Sequence, residues 1–194
     1  MVVEENFPEM TEIIARAESG NREAFDAIIS RIEGKVLKTA IWLTRNQADA
    51  QDVAQEVYIK VFRGLAACKD IERFDAWVYR ITVNTARDFA RRKKLFLPLT
   101  GAIRFLVETR HALSLQPRDP VLREEIRTRL AEALDLLTFN ERAAFIFKVL
   151  EEMETSEAAA ILGCREVTVR SYVHEARKKL QKHFRDFRDT LWTD

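Results

Sequence analysis

Apolar residues recur at spacings of three and four along nearly the whole chain, and this spacing constrains the fold more than any other feature. It places them on one face of an α-helix, whereas a half-buried strand alternates at every second position. The sequence has no convincing alternating segment and no Asn-Gly hairpin turn. Only 5 glycines and 4 prolines interrupt its 194 residues. The sequence therefore predicts an all-α fold.

A linker is indicated between Leu95 and Pro120, where the helical spacing fades and most of the prolines lie. We expect two small helical domains, residues 1–94 and 121–194, joined by the apolar segment 95–120. The helices predicted before the linker are Pro8 to Ser19, one capped by Asn21, Ile32 to Leu43, Ala48 to Leu65 and Phe74 to Lys93. Those predicted after it are Val121 to Leu137, Thr138 to Leu150 with a capping box to Glu141, and two short helices.

The segment TSEAAAILGCREVTVRSYVHEARKKL, from Thr155 to Leu180, has the pattern of a helix-turn-helix. Small residues at Ala158 and Ala159 allow two helices to cross closely, and Gly163 permits the sharp turn between them. On the second helix the apolar side chains share one face: Val169, Tyr172, Val173, Ala176 and Leu180. The opposite face is polar and basic, which suits a DNA major groove. An ordinary solvated helix face is the alternative.

Two helices of the first half carry further candidate surfaces. In DAQDVAQEVYIKVFRGL, Asp52, Gln55 and Glu56 form a compact acidic and amide face, which suits a basic protein partner. In FDAWVYRITVNTARDFARRKK, basic residues form a stripe with an amide and adjoining aromatics, a plausible surface for DNA strands and unstacked bases. Only Asp88 is acidic between Arg80 and Lys94, so most of this charge lacks a partner nearby in the sequence.

Bulk properties exclude several classes of protein. The net charge is only +1, but acidic residues concentrate before Ser19 and basic ones in the two segments described. Cys68 and Cys164 belong to no CxxC pair, so neither a disulfide framework nor a zinc site is expected. No apolar run approaches the roughly 18 residues of a membrane span, and the acidic start differs from a signal peptide. We expect a cytoplasmic protein without membrane insertion.

Taken together, these segments resemble the extracytoplasmic-function (ECF) sigma factors of bacterial RNA polymerase. The resemblance is carried by Ala24 and Phe25 with DAQDVAQEVYIKVF, by WVYRITVNTARD, and by LTFNER, ILG and TVRSYVHEAR. These blocks occur in the family's order and cover nearly the entire chain outside the linker. The sequence departs from the family at Glu152 and Glu154, where glycine and a capping serine are usual.

The resemblance implies an alternative sigma factor that binds core RNA polymerase and directs promoter-specific initiation, including promoter melting, without being an enzyme. Residues 1–94 would form the region 2 domain, 95–120 the linker and 121–194 the region 4 domain. The implied polymerase-binding residues are Asp49, Asp52, Gln55 and Glu56. Those for the minus-ten element are Trp77, Tyr79, Arg80, Asn84, Arg87, Asp88 and Arg91. Those for the minus-thirty-five element are Arg165, Val167, Thr168, Arg170, Ser171, His174, Arg177 and Lys178.

The implied partners are core RNA polymerase, promoter DNA and an anti-sigma factor, with a monomer when the protein is free. No cofactor, metal or catalytic residue is expected.

One alternative function is that of a helix-turn-helix regulator that binds DNA without polymerase, although the first half lacks the strand and helix alternation of a receiver domain. A helical enzyme is a second, but the three histidines have no ligand spacing and no nucleophile motif is present. A helical adaptor is a third and leaves both basic surfaces unexplained.

Overall fold

The computed structural model describes residues 7–68, 71–94 and 133–191, and all regular elements in these ranges are helical. An N-terminal bundle consists of α1 Phe7–Glu18, α2 Arg22–Thr44, α3 Gln47–Gly64 and α4 Phe74–Lys94, with short 3-10 turns at Leu65–Ala67 and Ile71–Arg73. A C-terminal unit contains a helical segment at 133–135, then α5 Phe139–Phe145, a π-helical turn Ile146–Leu150, α6 Thr155–Leu162 and α7 Glu166–Leu191. The all-α prediction is confirmed. The predicted linker and most of the helix predicted at Val121 to Leu137 lie outside the described residues.

The N-terminal bundle is organised by apolar faces on α2, α3 and α4, which pack against one another while α1 lies on α2. Its most buried side chains are Ile28, Ile32, Val36, Val53, Val57, Val61 and Val83. Two asparagines fix where helices begin: Asn21 accepts a hydrogen bond from the Ala24 amide at 2.9 Å, and Asn46 accepts one from Asp49 at 3.0 Å. Each satisfies a helix-end amide that lacks an intrahelical partner. The predicted cap at Asn21 is confirmed.

One prediction for this bundle is wrong. We expected the helix capped by Asn21 to end before a separate helix at Ile32 to Leu43, but α2 runs unbroken from Arg22 to Thr44. Gly34 is exposed in its interior and costs about 1 kcal/mol relative to alanine. Burial of Ile28, Ile32 and Val36 on one face, across the glycine, outweighs that cost.

The C-terminal unit contains the predicted helix-turn-helix, but only its first helix is short, since α7 runs for 26 residues from Glu166 to Leu191. Thr138 and Glu141 form a reciprocal capping box at the start of α5, as predicted. Gly163 ends α6 with a left-handed φ of 66°, a conformation that glycine adopts without the steric penalty of a Cβ. Ala158 and Ala159 are buried where α6 crosses its neighbours. The turn and the small-residue crossing therefore have the physical basis that the sequence indicated.

The loop before α6 contains two locally unfavourable residues. Glu152 has a left-handed φ of 53°, and Glu154 occupies the N-cap of α6 without a side-chain capping hydrogen bond. Glu152 and Glu154 are among the positions where the sequence departs from the family pattern. Glycine and serine would suit these conformations, respectively.

Glu152→Gly is expected to raise the free energy of unfolding by roughly 0.5–1 kcal/mol, because it relieves the left-handed conformation. Urea denaturation at neutral pH measures the change. Glu157→Gly is the matched control: Glu157 is exposed within α6, and glycine there should destabilise by about 1 kcal/mol. If Glu152→Gly and Glu157→Gly destabilise the protein equally, Glu152→Gly does not relieve an unfavourable backbone conformation.

Candidate functional site

The second helix of the helix-turn-helix, α7, presents the face that the sequence predicted. Val169, Val173, Ala176 and Leu180 are buried. The residues of the opposite face are exposed: Val167, Arg170, Ser171, His174, Arg177 and Lys178, with Arg165 exposed just before the helix and Thr168 half-buried. Val167 is 62% exposed, although it is apolar. This face can offer cations, a hydroxyl, an imidazole and a methyl surface to DNA base edges and phosphates.

The position of α7 is fixed by polar contacts with α5. Lys179 Nζ lies 2.7 Å and 2.9 Å from the two carboxylate oxygens of Glu141. Asn140 also donates a hydrogen bond to the Tyr172 hydroxyl at 3.4 Å. Lys179 is half-buried in this pair and is not free to contact DNA phosphates. Its charge therefore positions the helix.

Burial raises the pKa of Glu141, but hydrogen bonds from Lys179 and Thr138 outweigh it, so the pKa lies below its ordinary value. Because the pKa of Glu141 is lower in the folded protein than in the unfolded chain, its ionised carboxylate stabilises the fold. This contribution is complete above the ordinary glutamate pKa and is lost as pH falls through the folded-state pKa.

We expect Glu141→Gln to reduce the free energy of unfolding by about 1–2 kcal/mol at neutral pH, since a charge-assisted contact is lost. The difference from the original protein should shrink as acid protonates Glu141. Denaturation at a series of pH values measures this, with the exposed Glu157→Gln as control. A difference independent of pH would contradict the ionic contribution.

The basic stripe on α4 is only partly free. Arg80, Asn84 and Arg91 are exposed, and Arg80 has no ion pair within the described ranges. Arg87 donates to Asn84 Oδ1 at 3.0 Å, and Arg91 is bonded to Asp88. The stripe therefore combines exposed cations with an amide held in place by a neighbouring guanidinium.

The two aromatic residues predicted beside the stripe are placed differently. Trp77 is half-buried beside Phe74 and Gly64. A Cβ added at Gly64 would lie 3.2 Å from the Trp77 indole ring. Tyr79 is only 7% exposed and stacks edge-to-face on Phe147 of the C-terminal unit, with ring centroids 5.4 Å apart. Burial raises the pKa of Tyr79. In this arrangement Tyr79 is not available to a DNA strand.

The acidic face of α3 divides into free and paired groups. Asp52 and Gln55 are exposed. Glu56 lies 2.8 Å from Lys60 and 2.8 Å from Arg92, and Asp49 is paired with Lys93. The hydrogen bond from Lys60 lowers the pKa of Glu56, with a further contribution from Arg92. The basic end of α4 thus finds partners on α3, which the sequence reading did not predict.

Sequence reasoning missed two apolar residues on this surface. Ile59 is 51% exposed and Phe62 is 58% exposed, and they lie one and two turns after Gln55 on α3. The Phe62 ring contacts Phe25 edge-to-face at 4.9 Å. A usable signal was present, because the helical period that turns Val53, Val57 and Val61 inward leaves Ile59 and Phe62 outside. Large apolar side chains on an outer face are a feature of interaction surfaces.

The described residues contain neither a candidate metal site nor a candidate membrane span. Within those ranges no three His, Cys, Asp or Glu side chains are grouped so as to hold a metal ion. No described helix is long and apolar enough to cross a membrane.

Comparison with known proteins identifies both halves of the chain. Residues 28–96 match the family described as Sigma-70 region 2, and residues 127–180 match Sigma-70, region 4. The chain is 30% identical to the RNA polymerase sigma-H factor of Pseudomonas aeruginosa, covering 88% of this chain and 91% of that protein. It is 25% identical to the ECF RNA polymerase sigma factor SigW of Bacillus subtilis, over 89% of this chain and 95% of that protein.

Two solved structures share the fold. The structure of CnrH in complex with the cytosolic domain of CnrY superposes with a TM-score of 0.63 at 26% identity, covering 90% of this chain and 96% of that one. The sigma factor RpoE of Bartonella quintana, in complex with the anti-sigma factor NepR, superposes with a TM-score of 0.65 at 21% identity, covering 83% and 96%.

Proposed function

Since the chain belongs to the ECF sigma factors and is thus an alternative sigma factor, we propose that three surfaces divide its work. The outer face of α3 binds core RNA polymerase, α7 reads the minus-thirty-five element, and α4 recognises and melts the minus-ten element. We assign residues 1–94 to polymerase binding and melting, 95–120 to the linker, and 121–194 to minus-thirty-five recognition. The matches at residues 28–96 and 127–180 support this division.

The observation that carries the proposal is the exposure of three chemically distinct surfaces. On α3, exposed Asp52 and Gln55 adjoin exposed Ile59 and Phe62. A protein interface typically combines such apolar area with charges that steer and orient the partner. This surface therefore suits a partner with basic and apolar groups, the role we assign to core polymerase.

Duplex recognition is assigned to α7. Arg170 and Arg177 can pair with guanine, Ser171 with a base edge or phosphate, and Val167 with a thymine methyl. Arg165 and Lys178 are suited to phosphates, which set register without reading sequence.

Melting is a matter of differential binding. A surface that holds an unpaired strand and an extruded base more tightly than duplex shifts the equilibrium toward open DNA. Unstacking costs a few kcal/mol, and phosphate contacts with a base-binding group can offset it. Arg80 and Arg91 supply exposed cations and Asn84 an amide on one face of α4.

Regulation by an anti-sigma factor is part of the proposal. The structure of RpoE from Bartonella quintana contains an anti-sigma factor bound to the sigma factor. We propose that an anti-sigma factor binds this chain as well. The protein would work in the cytoplasm as a monomer until it joins core polymerase.

Run-off transcription on a genomic fragment library, with core polymerase and with or without this protein, tests the function. We expect transcripts from a specific promoter only when both are present, and poor binding of that duplex by the protein alone. Absence of core binding would overturn the proposal. Tight, specific duplex binding without polymerase would favour the alternative of a helix-turn-helix regulator.

Asn84→Ala is expected to slow promoter opening by about tenfold, the equivalent of one hydrogen bond of roughly 1.4 kcal/mol, while closed-complex affinity stays within about twofold. Stopped-flow fluorescence of a base analogue in the minus-ten element separates the two steps. Ser171→Ala on α7 is the matched control and should affect closed-complex formation only. Equal loss in both steps for Asn84→Ala would contradict its role in melting.

A further inference from the structure

One arginine on the reading face of α7 differs from its neighbours because it is paired with a carboxylate. Arg170 Nη2 donates a hydrogen bond to Glu166 Oε2 at 2.8 Å, and Glu166 lies four residues earlier on the same helix. The other cations at this face have no ion pair among the described residues: Arg165, Arg177 and Lys178. The reading face therefore has a single guanidinium with a fixed carboxylate neighbour within the part of the chain that the structure describes.

The position of Glu166 at the start of α7 explains why the pair forms. A carboxylate in the first turn is favoured by the positive end of the helix dipole. Residues four apart lie on the same side of a helix, and the pair is better when the acid precedes the base. The side chains of Glu166 and Arg170 are 47% and 66% exposed. Water screens a pair this exposed, so the pair contributes little to the stability of the fold.

The pair has a larger consequence for how Arg170 meets DNA. Arginine reads guanine with two N–H groups, which donate to the O6 and N7 atoms of the base. An unpaired arginine side chain has many rotamers, and in a groove of DNA it also reaches phosphates, which carry no sequence information. Glu166 accepts from one of the five N–H donors of Arg170, so enough donors remain for a guanine.

The charge of Glu166 also disfavours the contact that competes with base reading. A carboxylate repels DNA phosphates, so a guanidinium bonded to Glu166 is kept away from the DNA backbone. Of the two partners open to Arg170, a base edge and a phosphate, the phosphate is the one that Glu166 penalises. Repulsion of this kind increases the difference in affinity between the correct and an incorrect base pair.

Arg177 offers an internal comparison on the same helix. It is exposed on the reading face, but the residue four positions before it is Val173, which is buried and apolar. No carboxylate in the preceding turn can therefore orient the Arg177 guanidinium in the way that Glu166 orients Arg170.

We propose that Glu166 is a positioning residue for promoter recognition, which holds the Arg170 guanidinium toward a guanine of the minus-thirty-five element and away from phosphates. The inference rests on the proposed function of α7 as the reader of that element. Loss of Glu166 should leave affinity for the original promoter within about twofold and strengthen binding to a promoter with the wrong base pair, because Arg170 can then bind a phosphate instead.

Affinity of the complex with core polymerase for single base-pair variants of the selected promoter tests the proposal. The base pair read by Arg170 is the one at which Arg170→Ala lowers discrimination most. There we expect Glu166→Ala to lower the ratio of affinities for the original and the changed promoter about three- to tenfold. The ratio at every other base pair, including the one most affected by Arg177→Ala, should stay within about twofold.

A double-mutant cycle separates positioning from direct contact. If Glu166 acts through Arg170, adding Glu166→Ala to Arg170→Ala causes no further loss of discrimination. An equal loss with and without Arg170 overturns the proposal, because Glu166 would then read a base itself. An unchanged ratio for Glu166→Ala alone also overturns it.

Glu157→Ala is the matched control, because Glu157 is an exposed carboxylate on α6, the first helix of the helix-turn-helix. This variant removes the same charge from the same unit without touching Arg170, so discrimination should be unchanged. If Glu157→Ala lowers the same ratio as much as Glu166→Ala does, net charge accounts for the effect and the proposal is wrong.

Failure of the protein to bind core polymerase would overturn the proposed function and not the role of Glu166. In that case duplexes selected from random sequence by the protein alone replace the promoter in the same measurements. The variants of Glu166 and Arg170 then give the same expected and contradicting results.

Discussion

Replacing Asp52 with Asn together with Glu56 with Gln is expected to weaken binding to core RNA polymerase by about 10- to 100-fold, or about 1.4–2.8 kcal/mol. Both substitutions keep side-chain size and remove only charge. Asp52 is exposed, so its charge is free to meet a partner. Glu56 is already bonded to Lys60 and Arg92. We therefore expect the larger share of the loss from Asp52→Asn alone.

Affinity is measured by fluorescence titration of labelled protein with core polymerase. Asp26→Asn with Glu33→Gln is a matched control, since both residues are exposed on α2. Because Glu56 also joins α3 to α4, denaturation of the variant shows whether any loss reflects folding. Unchanged core affinity in a folded variant would remove the α3 face as the polymerase surface.

Arg142→Ala should lower the free energy of unfolding by about 2–4 kcal/mol, the largest effect on stability that we predict. The substitution leaves three buried carbonyls, those of Leu43, Leu134 and Leu137, without their donor. The cost of burying the guanidinium is recovered, which keeps the loss below the sum of three charged hydrogen bonds. Arg142→Lys should lose less, since an ammonium retains some donors but not the planar fork.

Urea denaturation followed by circular dichroism measures the loss. Arg177→Ala, on the exposed face of α7, is the control and should change stability by less than about 0.5 kcal/mol. If Arg142→Ala also lowers the free energy of unfolding by less than about 0.5 kcal/mol, the guanidinium contributes little to the stability of the fold.

Local features of the fold could be predicted because they depend on neighbours in the sequence. The Asn21 cap, the capping box of Thr138 and Glu141, and the turn at Gly163 each need only a few consecutive residues. The exposed face of α7 follows from helical periodicity in the same way. The family resemblance was likewise carried by blocks of local sequence, and the comparisons confirm it.

Contacts between elements could not be predicted. Nothing near Tyr79 in the sequence indicates that Phe147 buries it, and the partners of Arg92 and Lys93 come from α3. The continuity of α2 through Gly34 also depends on tertiary burial, which overrides a weak local preference. The roles of individual residues in binding polymerase and DNA stay predictions, because they concern partners outside the chain.

Permanganate reactivity at a promoter selected by the run-off assay tests promoter opening most directly, since permanganate oxidises unpaired thymines faster than paired ones. We predict that thymines of the minus-ten element react only when this protein and core polymerase are both present. Reactivity with core polymerase alone would contradict a role for this protein in opening. A stable complex of this protein, core polymerase and the promoter in which those thymines stay unreactive would also contradict that role.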